Sequence, residues 1–247
     1  MKILIFGNGF LGKRFAESWD DAVLTDTRID DRAAVMRVLE TEKPDAVVNA
    51  AGRNGTPNVD WCETNQVATY ESNTVGALLL AAACQSTNTY LVQLSSGCIF
   101  YGESPDTGGW REEDTPNPVA YYSKTKYATD LLLGSLPNVA VARLRLPVDD
   151  RVSPKNLIDK LSKYKQVIDV QNSVTVVEDL VSVVRQLIEK RASGIFHCTN
   201  PGALRYRDLL ALYKEQVDPN HSCEWIGDAE LAARGKKKKN RSTCLMQ

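Results

Sequence analysis

Short apolar runs alternate with amphipathic stretches along the chain as far as Leu144. The apolar runs have the length and composition of buried strands, and they fall at residues 2–6, 22–25, 45–49, 90–94 and 139–144. Helical spacing of apolar positions follows the first four, at 13–19, 30–40, 71–83 and 122–133. Strands that alternate with helices in this way pair in parallel, with helices on both faces of the sheet. The sequence therefore predicts an α/β fold built on a doubly wound parallel sheet.

Beyond Pro147 the alternation breaks into shorter pieces. Helical patterns fall at 156–164, 178–189 and 206–217, and strand patterns fall at 167–170, 173–177 and 194–198. Pieces of this length suit a small lobe that closes over a substrate and borrows the main domain for part of its packing. We predict a main domain at 1–148 and a mainly substrate-binding C-terminal lobe at 149–247, of which about 170–198 packs back on the main domain.

The first strand ends in a turn with the pattern G-x-G-x-x-G. The turn consists of Gly7, Asn8, Gly9, Phe10, Leu11 and Gly12. Gly7 would permit the tight turn, Gly9 the close approach of a pyrophosphate, and Gly12 the packing of helix on strand. Backbone N–H groups at the start of the following helix would hold the phosphates. Between a strand and a helix, this motif predicts an NAD(P)-binding Rossmann domain at 1–148.

Polar and small residues end the second and third strands. Asp26 closes the second strand, where an acid accepts hydrogen bonds from the adenosine ribose of NAD; Arg28 and Arg32 could instead hold the 2′-phosphate of NADP. The residues alone leave that choice open. The third strand ends in Asn49, Ala50, Ala51 and Gly52, whose small side chains would let the loop pass close to a bound cofactor.

A tyrosine and a lysine stand four residues apart in the predicted helix at 122–133. Tyr122 and Lys126 would project from the same side of that helix, so the ammonium would favour the ionised form of the phenol. Ser96, at the end of a neighbouring strand, could hold a substrate carbonyl against the phenol while a nicotinamide supplies hydride. Most Tyr-x-x-x-Lys pairs in helices lie on the surface and have no catalytic role. This pair indicates a catalytic site only because the glycine turn and Ser96 accompany it.

Taken in order, the glycine turn, residues 49–52, Ser96, Tyr122 and Lys126 resemble an extended short-chain dehydrogenase/reductase. Longer motifs narrow the resemblance: PNVDWCE at 57–63, GCIF at 97–100, EEDTPN at 112–117, YSKTK at 122–126 and TNPG at 199–202. They are similar to the bifunctional UDP-4-keto-6-deoxyglucose 3,5-epimerase/4-reductases, a branch of the dTDP-4-dehydrorhamnose reductase-like proteins. The resemblance runs from residue 1 to about 231. It implies conversion of UDP-4-keto-6-deoxy-D-glucose to UDP-β-L-rhamnose with NADPH, NADH being the other candidate.

The resemblance also assigns roles to five side chains. Tyr122 would donate a proton to the C4 carbonyl with Ser96 as its hydrogen-bonding partner. Lys126 would bind the nicotinamide ribose and lower the pKa of the phenol. The epimerase step of this family is attributed to a Cys and a Lys that match Cys98 and Lys160. The C4 ketone acidifies the protons at C3 and C5, which a thiolate and an amine could remove and return on opposite faces.

Further residues complete the predicted site. The cofactor set is the turn at 7–12 with Asp26, Arg28, Asn49, Ala50, Ala51, Gly52, Tyr122, Lys126 and Pro147. The substrate set is Arg53, Asn73, Ser96, Gly97, Cys98 and Asn156. Three of these side chains also have an ordinary structural interpretation: Asn73 as a satisfied core amide, Cys98 as a small buried apolar residue and Lys160 as a surface lysine.

Composition excludes several other classes of protein. The chain has 247 residues, a formal net charge of −1, six cysteines without C-x-x-C spacing, and two histidines. We therefore expect no nucleic-acid partner, no metal site and no disulfide framework. We also expect no signal peptide, since the apolar start runs directly into the glycine turn, and a cytoplasmic location. A homodimer is compatible with the sequence.

The C-terminal segment has a second interpretation. Lysines at 236–239 and Arg241 precede Cys244, Leu245, Met246 and Gln247, which have the form of a prenylation box beside a polybasic segment. We favour no membrane anchor, because residues 241–243 fall where the resembling family has a segment near the substrate's nucleotide.

Two other functions stay open. One is a dTDP-4-dehydrorhamnose reductase without epimerase activity, and the other is a non-catalytic NADP-binding regulatory subunit. Because relatives of the second kind tend to lose the tyrosine or its hydroxyl partner, the presence of Ser96 and Tyr122 favours an enzyme.

Overall fold

The computed structural model describes residues 1–56, 58–104, 107–227 and 246. Its strands within these ranges are β1 (Ile3–Phe6), β2 (Ala22–Thr25), β3 (Ala46–Asn49), β4 (Tyr90–Ser96), β5 (Val139–Leu144), β6 (Pro147–Val148), β7 (Gln166–Ile168), β8 (Gln171–Asn172), β9 (Thr175–Val176), β10 (Gly194–Cys198), β11 (Leu204–Arg205) and β12 (Glu224–Ile226). In this part of the chain, one six-stranded parallel sheet has the order β10-β5-β4-β3-β1-β2.

Helices cover both faces of that sheet. They are α1 (Phe10–Ser18), α2 (Arg32–Glu42), α3 (Trp61–Thr64), α4 (Gln66–Tyr70), α5 (Gly76–Ser86), α6 (Tyr121–Leu133), α7 (Leu157–Leu161), α8 (Val177–Lys190) and α9 (Tyr206–Gln216). A π-helical turn at Glu71–Val75 joins α4 to α5, and a 3₁₀ turn at Gly97–Ile99 follows β4.

The central sheet is buried on both faces, which explains why its strands are continuous apolar runs. Ile3 and Ile5 of β1 belong to one apolar core, which α1 and α8 complete. Leu4 and Phe6, which alternate with them, belong to a second core completed by α2 and α5. All four side chains are fully buried. The predicted α/β fold with a Rossmann-type doubly wound parallel sheet is confirmed.

Helix α2 shows how local signals fix the ends of a helix. The Asp31 carboxylate accepts a hydrogen bond from the Ala34 N–H at 2.9 Å, so the helix begins at Arg32. At the other end Lys43 adopts a left-handed conformation with φ of 45°, and Pro44 follows. The helix predicted at 30–40 is therefore displaced by two residues, because the cap lies at Asp31.

Strand β4 is longer than the sequence pattern predicts. Strand β4 was expected to end at Leu94, but its pairing with β5 continues through Ser95 and Ser96, which lie opposite Arg143 and Leu144. The expectation was wrong because backbone pairing continues although the side chains become polar. Ser96 is therefore the last residue of a buried strand rather than part of a loop.

The small lobe has its own apolar cluster, in which Leu157 and Leu161 of α7 pack with Tyr206 and Leu210 of α9. Its strands are shorter than predicted. The patterns at 167–170 and 173–177 resolve into β7, β8 and β9, which pair with β12, β11 and β6 respectively. The helix predicted at 156–164 is reduced to α7. Three different partners for three short strands are a tertiary outcome that local pattern does not contain.

One strand of the C-terminal half joins the main sheet, and one helix of that half packs against it. Strand β10 pairs in parallel with β5, and α8 contributes Val177, Leu180 and Val184 to one of the two sheet cores. The domain boundaries at 148 and 149 stay a prediction.

Among the described residues, every helix is too short or too polar to cross a bilayer. Of the prenylation box, only Met246 lies within the described residues; Lys236–Lys239 and Arg241 lie outside them. Met246 is 4% exposed and packs with Ile99, Phe100 and Trp110.

Candidate active site

The glycine turn is open on one side and closed on the other. A Cβ at Gly7, whose φ is 101°, would collide with the backbone of Ala51, and a Cβ at Gly12 would collide with the carbonyl of Gly7. A Cβ at Gly9 would meet no described atom within 4 Å. Close backbone packing at Gly7 and Gly12 and open space at Gly9 are what a pyrophosphate-binding turn requires.

A cavity of about 590 Å³ extends from this turn along the ends of β1, β2 and β3. Asp26, predicted for the adenosine ribose, and Arg28, predicted for a 2′-phosphate on it, both border this cavity. Asn8 Nδ2 donates to Asp26 Oδ1 at 2.8 Å, and Arg28 pairs with Asp30. Arg53, predicted for the substrate, also borders this cavity, with its guanidinium 5.6 Å from the centroid of the Trp61 ring. The structure therefore brings Arg53 to the adenosine end of the cleft.

The predicted catalytic side chains meet in a central cavity of about 360 Å³. Among its lining residues are Ser96, Cys98, Tyr122, Lys126 and Lys160. The cavity shares Gly9 and residues 50–52 with the adenosine-side cavity, so that the two form one cleft. Groups from β4, α6 and α7 thus face one space beside the glycine turn.

Burial shifts the pKa values of both Tyr122 and Lys126. Burial raises the pKa of Tyr122, Cys98 adds to the rise, and the Ser96 hydroxyl opposes it. Burial also lowers the pKa of Lys126 to about 8, whereas Asp130 opposes that shift. Lys126 Nζ donates to the Leu94 carbonyl at 2.7 Å. The expected lowering of the phenol pKa is wrong for the protein alone, because desolvation of the hydroxyl outweighs any effect of the neighbouring ammonium.

A buried ion pair lies behind Lys126, one helical turn farther along α6. Arg143 Nε of β5 is 2.9 Å from Asp130 Oδ2, and the two side chains are 2% and 0% exposed. Burial raises the pKa of Asp130, and Arg143 opposes this by favouring the carboxylate. Sequence reasoning missed this pair. The available signal was an acid four residues after Lys126, on the same helix face.

Cys98 lies on the 3₁₀ turn immediately after β4. Its N–H donates to Ser96 Oγ at 3.2 Å, and Arg145 Nη1 is 3.4 Å from its sulfur. Lys160 is half-buried on α7; burial lowers its pKa, and the nearby Lys155 lowers it further. Both Cys98 and Lys160 border a further lobe-side cavity of about 240 Å³ as well as the central one. They stand where the main domain and the lobe meet.

A family model described as RmlD substrate binding domain matches residues 1–217. The chain belongs to this family. The predicted kinship with dTDP-4-dehydrorhamnose reductase-like proteins is thereby confirmed.

One curated relative combines two activities in its name. The bifunctional dTDP-4-dehydrorhamnose 3,5-epimerase/dTDP-4-dehydrorhamnose reductase of Arabidopsis thaliana is 36% identical over 228 residues, which cover 88% of this chain and 76% of that protein. The chain spans about a third of the length of three trifunctional relatives from the same plant. The prediction of an oxidoreductase-type enzyme is confirmed by these relatives, which are named as reductases.

Solved structures agree with the family assignment. The crystal structure of the L780 UDP-rhamnose synthase from Acanthamoeba polyphaga mimivirus has a TM-score of 0.90 at 31% identity, covering 100% of this chain and 90% of that chain. The dTDP-4-dehydrorhamnose reductase of Bacillus anthracis in complex with NADP has a TM-score of 0.84 at 22% identity, covering 100% and 91% respectively. The second comparison shows a shared fold.

In this RmlD-family chain, three predicted asparagines use their amides on the protein itself. Asn73 Oδ1 accepts from the Arg53 N–H at 2.6 Å, and its Nδ2 donates to the Arg53 carbonyl at 2.9 Å. It still borders the central cavity from the π-helical turn. Asn49, fully buried, donates to Gln93 Oε1 at 2.7 Å and accepts from the Ala51 N–H at 3.1 Å. These two amides shape the loop beside the cofactor cleft.

Asn156 is placed elsewhere. Its Nδ2 donates to the carbonyls of Asp149 and Arg151 at 2.8 and 3.1 Å. It borders an outer depression of the lobe, and it is absent from the described lining of the central and lobe-side cavities. The structure thus does not bring Asn156 to the substrate side of the cleft, because its side-chain amide is hydrogen-bonded to the backbone of residues 149–151.

The remaining predicted residues divide between lining and support. Phe10, Leu11 and Pro147 border the central cavity. Gly97 is buried, and a side chain there would collide with the Met246 thioether. Gly97 therefore permits close packing beside Cys98. Sequence reasoning also missed Lys155, which borders the central cavity and whose Nζ donates to Asn54 Oδ1 at 3.0 Å.

Proposed function

We propose that the chain is a bifunctional enzyme that epimerises C3 and C5 of UDP-4-keto-6-deoxy-D-glucose and then reduces C4 with NADPH, giving UDP-β-L-rhamnose. The observation that carries the proposal is the meeting of Ser96, Tyr122 and Lys126 with Cys98 and Lys160 in one cavity beside the glycine turn. The names of the bifunctional Arabidopsis relative and of the L780 UDP-rhamnose synthase support it.

The residues present fit a dinucleotide. Gly9 leaves open space at the start of α1, where backbone N–H groups would hold the pyrophosphate. Asp26 and Arg28 would face the adenosine ribose, and Lys126 would face the nicotinamide ribose. When bound, NADPH supplies hydride to C4. NADH is the alternative, since Asp26 suits a free 2′-hydroxyl and Arg28 a 2′-phosphate.

Reduction needs a proton on the C4 oxygen. Tyr122 is protonated at neutral pH, because burial raises the pKa of its phenol, and it can therefore donate. Ser96 borders the same cavity as the phenol and would bind the same substrate oxygen. Lys126, charged below pH of about 8, would stabilise the phenolate left after transfer.

Epimerisation needs two groups that reach C3 and C5 while the C4 ketone stabilises the enolate. Cys98 projects from the end of the main sheet and Lys160 from the lobe, and both border the central cavity. A sugar between them would meet an acid–base group from each side. Inversion follows when one group removes a proton and the other returns one.

The test is incubation of the purified chain with UDP-4-keto-6-deoxyglucose in deuterated buffer, with and without NADPH. We expect deuterium at C3 and C5 by NMR in both arms, and loss of NADPH absorbance in the second. Cys98→Ala should stop deuterium incorporation while cofactor binding persists, and Cys223→Ala, a half-buried lobe cysteine, is the matched control. Normal incorporation in Cys98→Ala would refute the epimerase assignment.

The same assay separates the alternatives. Turnover of only a dTDP-linked, already epimerised keto sugar would indicate a reductase without epimerase activity. Cofactor binding with no turnover of either sugar would indicate a regulatory subunit.

A further inference from the structure

A buried cation lies against the sulfur of Cys98. Arg145 Nη1 is 3.4 Å from Cys98 Sγ, and Arg145 is 5% exposed. Asn172 Oδ1 accepts hydrogen bonds from Arg145 Nε at 3.2 Å and from Nη2 at 2.6 Å. Because Asn172 holds two nitrogens of the planar guanidinium, the third is aimed at the sulfur rather than left to sample rotamers.

We propose that Arg145 is a positioning residue that holds Cys98 as a thiolate, so that Cys98 removes the sugar proton and Lys160 returns one. The inference rests on the proposed epimerase function. A cation within about 4–6 Å favours the charged form of an acid, and thiolates are the reactive form of cysteine. Among the described residues, the hydrogen bond to this sulfur comes from Arg145.

The proton transfers balance. The thiolate forms an S–H bond with the proton at C3 or C5, and the C–H electron pair moves into an enolate whose charge rests on the C4 oxygen. The Lys160 ammonium then gives a proton to the opposite face, where the enolate pair forms the new C–H bond. A neutral amine and a thiol remain, and solvent carries the proton from sulfur to nitrogen. Burial and Lys155 lower the pKa of Lys160, which makes its ammonium the better proton donor.

Other charged or titratable groups face the same space and must be distinguished from Arg145. Those bordering the central or lobe-side cavity are Asp60, Tyr122, Lys126, Lys155, Lys160, Tyr164 and Tyr206. Arg145 differs from them in its direct contact with the sulfur and in its two-point attachment to Asn172. Removing its charge should therefore change the ionisation of Cys98 selectively.

The test follows Cys98 alone, without substrate. The rate at which iodoacetamide alkylates Cys98 is measured against pH by mass spectrometry of its peptide in wild type, Arg145→Met and Arg145→Lys. We expect Arg145→Met to move the rise in alkylation to higher pH by about one unit or more, and Arg145→Lys to restore most of it. Arg205→Gln removes an exposed lobe cation that pairs with Asp169 and should match wild type.

The epimerase readout is deuterium incorporation into UDP-4-keto-6-deoxyglucose over the same pH range. In Arg145→Met its acidic limb should move with the alkylation profile, with a loss of about tenfold at neutral pH. An unmoved alkylation profile, or a change confined to KM, overturns the proposal. Absence of deuterium incorporation in the wild type contradicts the epimerase function instead, and the alkylation profile still decides on Arg145.

A second variant guards against failure of Arg145→Met to fold. Asn172→Asp keeps the size of the side chain and the acceptor oxygen that holds Arg145, but it places a negative charge beside the guanidinium. The added negative charge should move the Cys98 alkylation profile in the same direction by a smaller amount. No movement in a folded Asn172→Asp protein, checked by circular dichroism, counts against the proposal.

Discussion

The side chains proposed for reduction and those proposed for epimerisation, called here the reductive and epimerising halves of the cleft, are held by different kinds of structure. Tyr122 and Lys126 lie on α6, a 13-residue helix packed on the main sheet, and Ser96 ends the seven-residue strand β4. Cys98 lies on a three-residue 3₁₀ turn, and Lys160 lies on α7, which has five residues. Regular backbone fixes the spacing of the first group. Side-chain contacts must fix the second.

Those contacts differ in kind as well. A buried ion pair between Asp130 and Arg143 lies behind the reductive group. Arg145, held by Asn172, and Lys155, held by Asn54, lie beside the side chains proposed for epimerisation. We therefore expect reduction to fail mainly through loss of a reacting group or of folding, and epimerisation to be tuned by single surrounding side chains.

The largest expected effect is that of Tyr122→Phe. Removing the proton donor should lower the rate of C4 reduction by about 10²–10⁴-fold, as is typical for a general acid. Deuterium incorporation at C3 and C5 without NADPH should persist, because Cys98 and Lys160 are unchanged. NADPH absorbance and NMR measure the two steps separately. Equal loss of both steps would remove the distinction between the two halves.

Arg143→Met should have the next largest effect, on stability. The substitution leaves the Asp130 carboxylate buried without its partner, which typically costs about 3–5 kcal/mol in the free energy of unfolding. Urea denaturation followed by circular dichroism measures the loss. Arg205→Met, which removes an exposed partner of Asp169, should lower the free energy of unfolding far less, because water and salt screen an exposed ion pair. Similar losses in the two variants would show that the buried pair does not support the reductive half.

The same contrast explains what the sequence could predict. Strand–helix alternation, the glycine turn and the spacing of Tyr122 and Lys126 are local patterns, and the sheet and the central cavity agree with them. The Asp31 cap moved one helix by two residues without changing the fold. Positions that depend on backbone periodicity could thus be predicted from the sequence.

The strand pairing of the lobe and the pKa values of the site could not be predicted from the sequence, because they depend on tertiary contacts. Strands of two or three residues take their partners from distant segments, as β8 does with β11. Burial, which raises the pKa of Tyr122 and lowers that of Lys126, cannot be read from helical spacing. Asn156 illustrates the same limit, since only its position in the folded loop shows that its amide is already used.

The pH dependence of reduction should separate the halves further. The pKa of Lys126 is lowered to about 8, so its ammonium is present below that pH and is lost above it. The reduction rate should therefore fall as pH rises through about 8, up to tenfold per unit. In Asp130→Asn the fall should begin at lower pH, because Asp130 raises the pKa of Lys126. Stopped-flow NADPH absorbance gives both profiles, and a flat wild-type profile through this range contradicts the role of the ammonium.

The smallest expected effect is that of Lys155→Met on Lys160. Lys155 is the second cause of the lowered pKa of Lys160, after burial, so its removal should raise that pKa slightly. The Lys160 ammonium, and with it the alkaline limb of deuterium incorporation, should then persist to slightly higher pH. NMR titration of isotopically labelled lysine measures the shift, and Lys163→Met, which removes an exposed lobe cation, is the matched control. Asn54→Ala removes the hydrogen bond at 3.0 Å but keeps the charge of Lys155. If Asn54→Ala moves the titration as far as Lys155→Met does, the position of the loop rather than the charge of Lys155 sets the ionisation of Lys160.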